Sequence, residues 1–181
     1  MTKTAPQDTD RHNQKMQKKK VARDKIMATK TEKKGLIIIN TGKGKGKSSA
    51  AFGMIFRCIA HGMQCAVVQF IKGGMSTGER DLILKNFTNI CSFNTMGEGF
   101  TWETQDKARD MEMAGAAWEK AKDLIRDPKN TMVLLDEINI ALRYDYIDVK
   151  DITKFLLNEK PEMTHVVMTC LLYTSPSPRD P

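Results

Sequence analysis

Short apolar runs without alternation recur along this chain, and all but the last are followed by a stretch of helical spacing. They are GLIIIN at 35–40, CAVVQF at 65–70, TMVLLDE at 131–137 and THVVMT at 164–169, with a shorter strand, ICSF, at 90–93. A strand covered on both faces needs such a run, because both of its side-chain rows meet a core. Between the runs lie SSAAFGMIFRCIAHG, closed by Gly62, then GERDLILKNF and a long helical stretch from Glu103 that stops before Pro128. VKDITKFLLNEK follows, ended by Pro161. Strands alternating with helices predict an α/β domain with a mostly parallel central sheet and helices on both faces. Ligands of such sheets bind beyond the carboxyl ends of the strands.

Charge divides the chain into unequal parts. The whole carries 29 Lys+Arg against 22 Asp+Glu, but residues 1–34 hold 11 of the basic and 4 of the acidic residues. Residues 35–181 therefore balance at 18 and 18. A duplex-binding domain places basic residues on its folded face, so the balance argues against a nucleic-acid partner. Residues 1–10 read as a disordered polar lead. From Arg11 onward, Met16, Val21, Ile26 and Met27 give a basic helix with a weak apolar stripe. Cys58, Cys65, Cys91 and Cys170 show no CxxC spacing, which suggests neither a zinc site nor a disulfide framework. With no signal-like leader and no run of roughly 20 apolar residues, a soluble cytoplasmic protein without a membrane partner is expected.

At 40–49, NTGKGKGKSS joins the first apolar run to the first helix. A strand, a glycine-rich turn and a helix N-terminus aim several N–H groups and the positive end of the helix dipole at one point, which attracts phosphate. Gly42, Gly44 and Gly46 allow close approach, Lys47 reaches the terminal phosphates, and the Ser48 hydroxyl suits a magnesium ion. The first glycine of the usual Walker A pattern falls on Thr41, so this is a variant P-loop. Asp136 ends a buried strand, where a metal-holding acid stands in such proteins. Glu137 reads as a second metal-site acid, as a group orienting an attacking water, or as a helix N-terminal carboxylate. In GEGFTWETQD, Phe100 and Trp102 read either as anchors of a loop or as a ligand-stacking pair, ahead of a helix that Thr104 would cap.

Taken in order from Arg11 to Thr169, RHNQKMQKKK, NTGKGKGKSSAAFG, VVQFIKGG with GER, GFTWETQD and VLLDEINIALRYDYI resemble the ATP:corrinoid adenosyltransferases of bacterial cobalamin synthesis and salvage. The resemblance implies a RecA-like P-loop fold and a cytoplasmic homodimer. It also implies transfer of the 5′-deoxyadenosyl group of ATP to Co(I) of a corrinoid, with release of triphosphate. Magnesium or manganese, and a flavoprotein or ferredoxin-type reductant, are implied with it. On this resemblance Thr41, Gly42, Lys43, Gly44, Lys45, Gly46, Lys47, Ser48 and Ser49 hold the triphosphate, and Ser48 meets the metal with Asp136 or Glu137. Positions 48 and 49 are usually threonine in the family, and serine keeps the hydroxyl.

Phe100 and Trp102 match its corrinoid-facing loop, which excludes water from one face of the cobalt. Arg57 matches a position near the substrates, the alternative being a solvated helix face. Residues 1–34 match a segment that folds over the corrinoid, the alternative being a basic tail. The nucleotide-binding domain is then 35–170. After Thr169 the family continues with Gly-Arg-Gly, whereas here LLYTSPSPRDP follows Cys170, so 171–181 is expected to be foreign to the domain. Two other functions fit parts of the pattern: a P-loop kinase or ATPase using Glu137 as base, and a nucleic-acid protein led by the basic leader.

Overall fold

The structure is a computed structural model that describes residues 6–42, 44–70, 77–95 and 107–170. The chain divides into two units, Met1–Lys33 and Lys34–Pro181.

The first unit is helix α1, Pro6–Ala28. It starts inside the segment expected to be disordered, and Pro6 explains how: in the first turn a missing N–H is no loss and the fixed φ is already helical. Thr29 closes the helix, its hydroxyl donating to the Ile26 carbonyl at 2.7 Å. Within this unit the expected apolar stripe lies open, with Met16, Val21, Ile26 and Met27 all exposed.

The second unit runs β1 (Ile37–Thr41), α2 (Lys47–Ala60), β2 (Cys65–Gln69), α3 (Gly78–Asn86), β3 (Cys91–Thr95), α4 (Lys107–Arg126), β4 (Met132–Asp136), α5 (Ile138–Arg143), α6 (Val149–Asn158) and β5 (His165–Cys170). The short helix α5 was not anticipated; its six residues lie between the strand TMVLLDE and the helix VKDITKFLLNEK, a stretch to which no element was assigned. The five strands form one sheet in the order β1-β5-β4-β2-β3, with every pair parallel. Strand β5 thus separates β1, which leads into the glycine loop, from β4, which ends in Asp136. This is the arrangement of a RecA-like P-loop fold.

Alternate residues of β2, β4 and β5 enter two cores. Ala66, Val68, Val133, Leu135, Val166 and Met168 face α4, α5 and α6. Val67, Leu134 and Val167 face α2 and α3. Helix ends follow local chemistry: Gly62 takes φ 68 just past α2, and the Thr77 and Asp148 side chains cap α3 and α6 by accepting from Arg80 N and Lys150 N. All four cysteines are free, and Cys58, Cys65 and Cys91 are buried in the α2-side core. There burial pushes the Cys58 thiol up, and a hydrogen bond to Cys91 together with burial holds the Cys65 thiol well above the usual range.

Strand β1 departs from expectation. The run GLIIIN predicts a strand buried on both faces, yet Ile37 and Ile39 are 38% and 57% exposed. They share a face with Val166 and Met168 of β5, through the register Ile37↔Val166 and Ile39↔Met168, but β1 is the edge strand of the described sheet. Its entry is tied down instead by backbone contacts. Gly35 N donates to Glu162 O at 2.6 Å, Leu36 N donates to His165 Nδ1 at 3.1 Å, and the Lys160 ammonium donates to the carbonyls of Gly35, Pro161 and Thr164. A Cβ on Gly35 would stand 2.2 Å from the Thr164 carbonyl oxygen. Gly35→Ala is therefore expected to push β1 away from this loop and cost about 1–3 kcal/mol, the usual range for overpacking. Urea unfolding of the two proteins side by side measures it; an unchanged midpoint would show that the loop yields freely.

Candidate functional site

The carboxyl end of the sheet is built from one polar layer. Each apolar run stops at a polar side chain on the α2 face: Asn40 on β1, Thr169 on β5, Asp136 on β4, Gln69 on β2 and Thr95 on β3. The register pairs Asn40 with Thr169, Gln69 with Asp136 and Gln69 with Thr95. Hydrophobic rows below these residues build the core, and the polar row forms the floor beneath the N-terminus of α2.

The loop above that floor takes its shape from its glycines. Gly46 adopts φ 101 at the N-cap of α2 and offers no side chain to cap it, and that first turn holds no acidic residue. An anion is the natural partner of such free amides. Thr41, where a glycine was expected, is the last residue of β1 and pairs with Cys170. The turn begins one residue later, at Gly42 with φ 149, so threonine is tolerated. The Lys47 ammonium donates to the Gly42 carbonyl at 3.1 Å and to that of Gly44, which folds the cation over its own loop. Asn40 supports the turn from below, its Nδ2 donating to the Lys47 carbonyl at 3.3 Å.

Asp136 is fully buried. A buried carboxylate is costly unless hydrogen-bonded, and three donors meet it: the Ser48 hydroxyl at 2.9 Å and the Thr169 hydroxyl at 3.0 Å on Oδ1, and Gln69 Nε2 at 3.0 Å on Oδ2. Thr169 in turn accepts from the Glu137 N–H at 2.8 Å. Glu137 stands at the N-cap of α5 with φ 60, a left-handed conformation that a non-glycine residue adopts at a cost of about 1–3 kcal/mol and that clusters at functional sites. Its side chain makes no cap hydrogen bond there, although its place at the N-terminus of α5 is that of a carboxylate facing the helix dipole.

A cavity of about 460 Å³ opens over this floor, lined by Lys45, Gly46, Lys47 and Ser48 on one side and Glu137 and Thr169 on the other. Ser49 reaches the same cavity from the first turn of α2. Glu137 thus lines the cavity directly, while Asp136 lies behind Ser48. Arg57 is exposed in the last turn of α2, ten residues or about 15 Å along the axis from Lys47, and does not line the cavity. Gly42 and Gly44 shape the turn. Lys43, Phe100, Trp102 and Thr104 lie outside the described residues, as does the segment 171–181.

Asn40, Gln69 and Thr169 were not anticipated as site residues. Their one signal in the sequence is that each ends an apolar run with a polar residue, as Asp136 does.

A strand–glycine loop–helix turn over a buried acid at the sheet's carboxyl end defines the P-loop class of α/β proteins. Comparison with known proteins narrows the class: residues 33–171 match the family model for the ATP:corrinoid adenosyltransferases BtuR/CobO/CobP, and residues 1–27 match the cob(I)alamin adenosyltransferase N-terminal model. A corrinoid adenosyltransferase of Sinorhizobium is 73% identical over 165 residues, covering 91% of this chain and 77% of that protein. The corrinoid adenosyltransferase of Pseudomonas aeruginosa is 44% identical over 91% of this chain and 80% of its own length. The corrinoid adenosyltransferase CobA of Salmonella typhimurium is 39% identical over 88% and 80%. The chain belongs to the ATP:corrinoid adenosyltransferase family, whose members are ATP-dependent transferases acting on corrinoids.

Proposed function

We propose that the loop from Thr41 to Ser49 holds the triphosphate of ATP while the 5′-deoxyadenosyl group passes to Co(I) of a corrinoid. The observation that carries this reading is the meeting of Ser48, at the open N-terminus of α2, with the buried Asp136. Co(I) supplies the electron pair to C5′ of the ribose, the C5′–O bond breaks, and the pair leaves with the triphosphate. Charge grows on that leaving group, so preorganised donors beside it lower the barrier. Lys45, Lys47 and the first-turn amides of α2 are those donors.

A hard divalent ion suits the oxygens of Ser48, Asp136 and Glu137. Among the described residues no group of three His, Cys, Asp or Glu could hold a metal. Magnesium binds through one or two carboxylates and substrate phosphates and keeps several waters, so Ser48 beside Asp136 and Glu137 suits it. Bound there, magnesium or manganese would neutralise phosphate charge. Within the family reading, Phe100 and Trp102 press on one face of the corrinoid to keep water from the cobalt, and α1 covers the corrinoid. The basic helix and its exposed apolar residues support that role for α1. Co(I) requires a one-electron donor, for which a flavoprotein or ferredoxin-type protein has the chemistry. A homodimer follows from the family reading. A cytoplasmic location follows from the same family reading; among the described residues no helix is long and apolar enough to cross a membrane.

Incubation with ATP, Mg²⁺ and chemically reduced corrinoid tests the reading. A light-sensitive adenosylated corrinoid and intact triphosphate are expected in equal amounts. ADP and phosphate, with no cobalt–carbon product, would instead identify a phosphoryl-transfer enzyme.

A further inference from the structure

Gln69 lies at the end of a strand that supplies no residue to the P-loop or to the acid motif, yet it is fully buried against Asp136. Its Nε2 donates to Asp136 Oδ2 at 3.0 Å, while its Oε1 is buried with no hydrogen-bond partner among the described residues. Turning the amide over would set that oxygen against the carboxylate, acceptor to acceptor, so the carboxylate fixes the amide's orientation. A buried carbonyl without a donor costs stability, and a core that needed only volume here would be served better by leucine or methionine. Position 69 therefore carries an amide for the sake of its N–H.

Thr169 does the equivalent on the other carboxylate oxygen. Its hydroxyl donates to Asp136 Oδ1 at 3.0 Å and accepts from the Glu137 N–H at 2.8 Å. One side chain thus fixes Asp136 and also holds the backbone of the cavity-lining Glu137. Ser48 shares Oδ1 at 2.9 Å and comes from the nucleotide loop. Each carboxylate oxygen consequently has a donor on a neighbouring strand, independent of that loop.

We propose that Gln69 and Thr169 are positioning residues that clamp Asp136 between β2 and β5, setting its orientation toward Ser48 and the affinity of the site for the divalent cation that accompanies the nucleotide. The proposal rests on the cation-assisted reading of the site given above. Partners that orient an acid at a metal site are typically worth 10–100-fold in metal affinity or activity.

The test measures binding of a fluorescent ATP analogue to the full chain with and without Mg²⁺, beside the Mg²⁺ dependence of adenosylation and the thermal midpoint. Gln69→Met keeps the volume and removes both the clamp and the orphaned carbonyl; Thr169→Val keeps the shape and removes the hydroxyl; Thr169→Ser restores it. For Gln69→Met and Thr169→Val the Mg²⁺ concentration giving half of the binding enhancement should rise 10–100-fold. Thr169→Ser should return it to within about two-fold of the parent. The midpoint of Gln69→Met should fall modestly, because removing the orphan acceptor offsets only part of the cost of leaving Asp136 Oδ2 without a donor, so binding is compared well below both midpoints.

A Mg²⁺ requirement unchanged in both variants overturns the clamp while leaving the cation-assisted reading intact. So does a fall in metal-free binding and midpoint that accounts for the whole effect, since that is a structural role. Nucleotide binding by the parent that is indifferent to Mg²⁺ overturns the reading and the clamp together. Should Gln69→Met not fold, the Thr169 pair decides alone.

Discussion

Lys47→Ala is expected to lower kcat/KM for ATP by roughly 10²–10³-fold, about 3–4 kcal/mol, the usual loss when one preorganised donor to a developing anion is removed. Lys47 begins α2, and among the described residues its ammonium donates to the Gly42 and Gly44 carbonyls of its own loop. No core residue depends on it, so the thermal midpoint should stay within about 2 °C, no more than the shift that 1 kcal/mol produces. Lys47→Arg should restore only part of the rate, because a planar fork does not replace a compact ammonium in a tight loop. Steady-state kinetics with ATP varied at saturating reduced corrinoid provide the check. An unchanged kcat/KM for Lys47→Ala would remove the phosphate-binding role from the loop.

Trp118→Ala should produce the opposite pattern. Trp118 is 5% exposed on α4 and meets the Phe155 ring of α6 edge-on, with centroids 5.4 Å apart and planes at 84°. Truncating a buried tryptophan costs about 3–5 kcal/mol, a large share of a total near 5–15 kcal/mol. At roughly 2–4 °C per kcal/mol, the midpoint should fall by about 6–20 °C. The ring belongs to the core on the α4–α6 side, whereas Lys47, Ser48 and the polar floor lie on the α2 side. Specific activity well below the new midpoint should therefore survive. A midpoint shift under 2 °C would mean that α4 and α6 close over the space.

The two variants separate what the two faces of the sheet do, and the separation follows from strand periodicity. Val67 and Gln69 point the same way, as do Leu134 and Asp136, and Val167 and Thr169, so the row that builds one core also ends in the site. Much of this was legible beforehand. A doubly covered parallel strand leaves a continuous apolar run, and CAVVQF, TMVLLDE and THVVMT became β2, β4 and β5. The glycine loop was legible for the same kind of reason: strand, turn and helix start are contiguous, so their chemistry is written in neighbouring residues. Where local signals were thin the reading slipped. Helix α1 starts at Pro6 rather than past residue 10, and α5 spans only six residues beyond the strand end.

By itself the sequence determined the α/β class, the variant P-loop and the acid at the end of its strand, because each depends on residues a few positions apart. Only the tertiary structure decided that β1 would be the edge strand of the described sheet, leaving Ile39 exposed, and that Asp136 would lie behind Ser48 while Glu137 lines the cavity. It also decided the partners of Asp136. Gln69 is 67 residues from it in sequence and Thr169 is 33, and nothing local distinguishes either from any other polar residue that ends a strand. Strand order and register bring them to one carboxylate, and once it is buried the energetic need to satisfy both of its oxygens gives those two side chains their place.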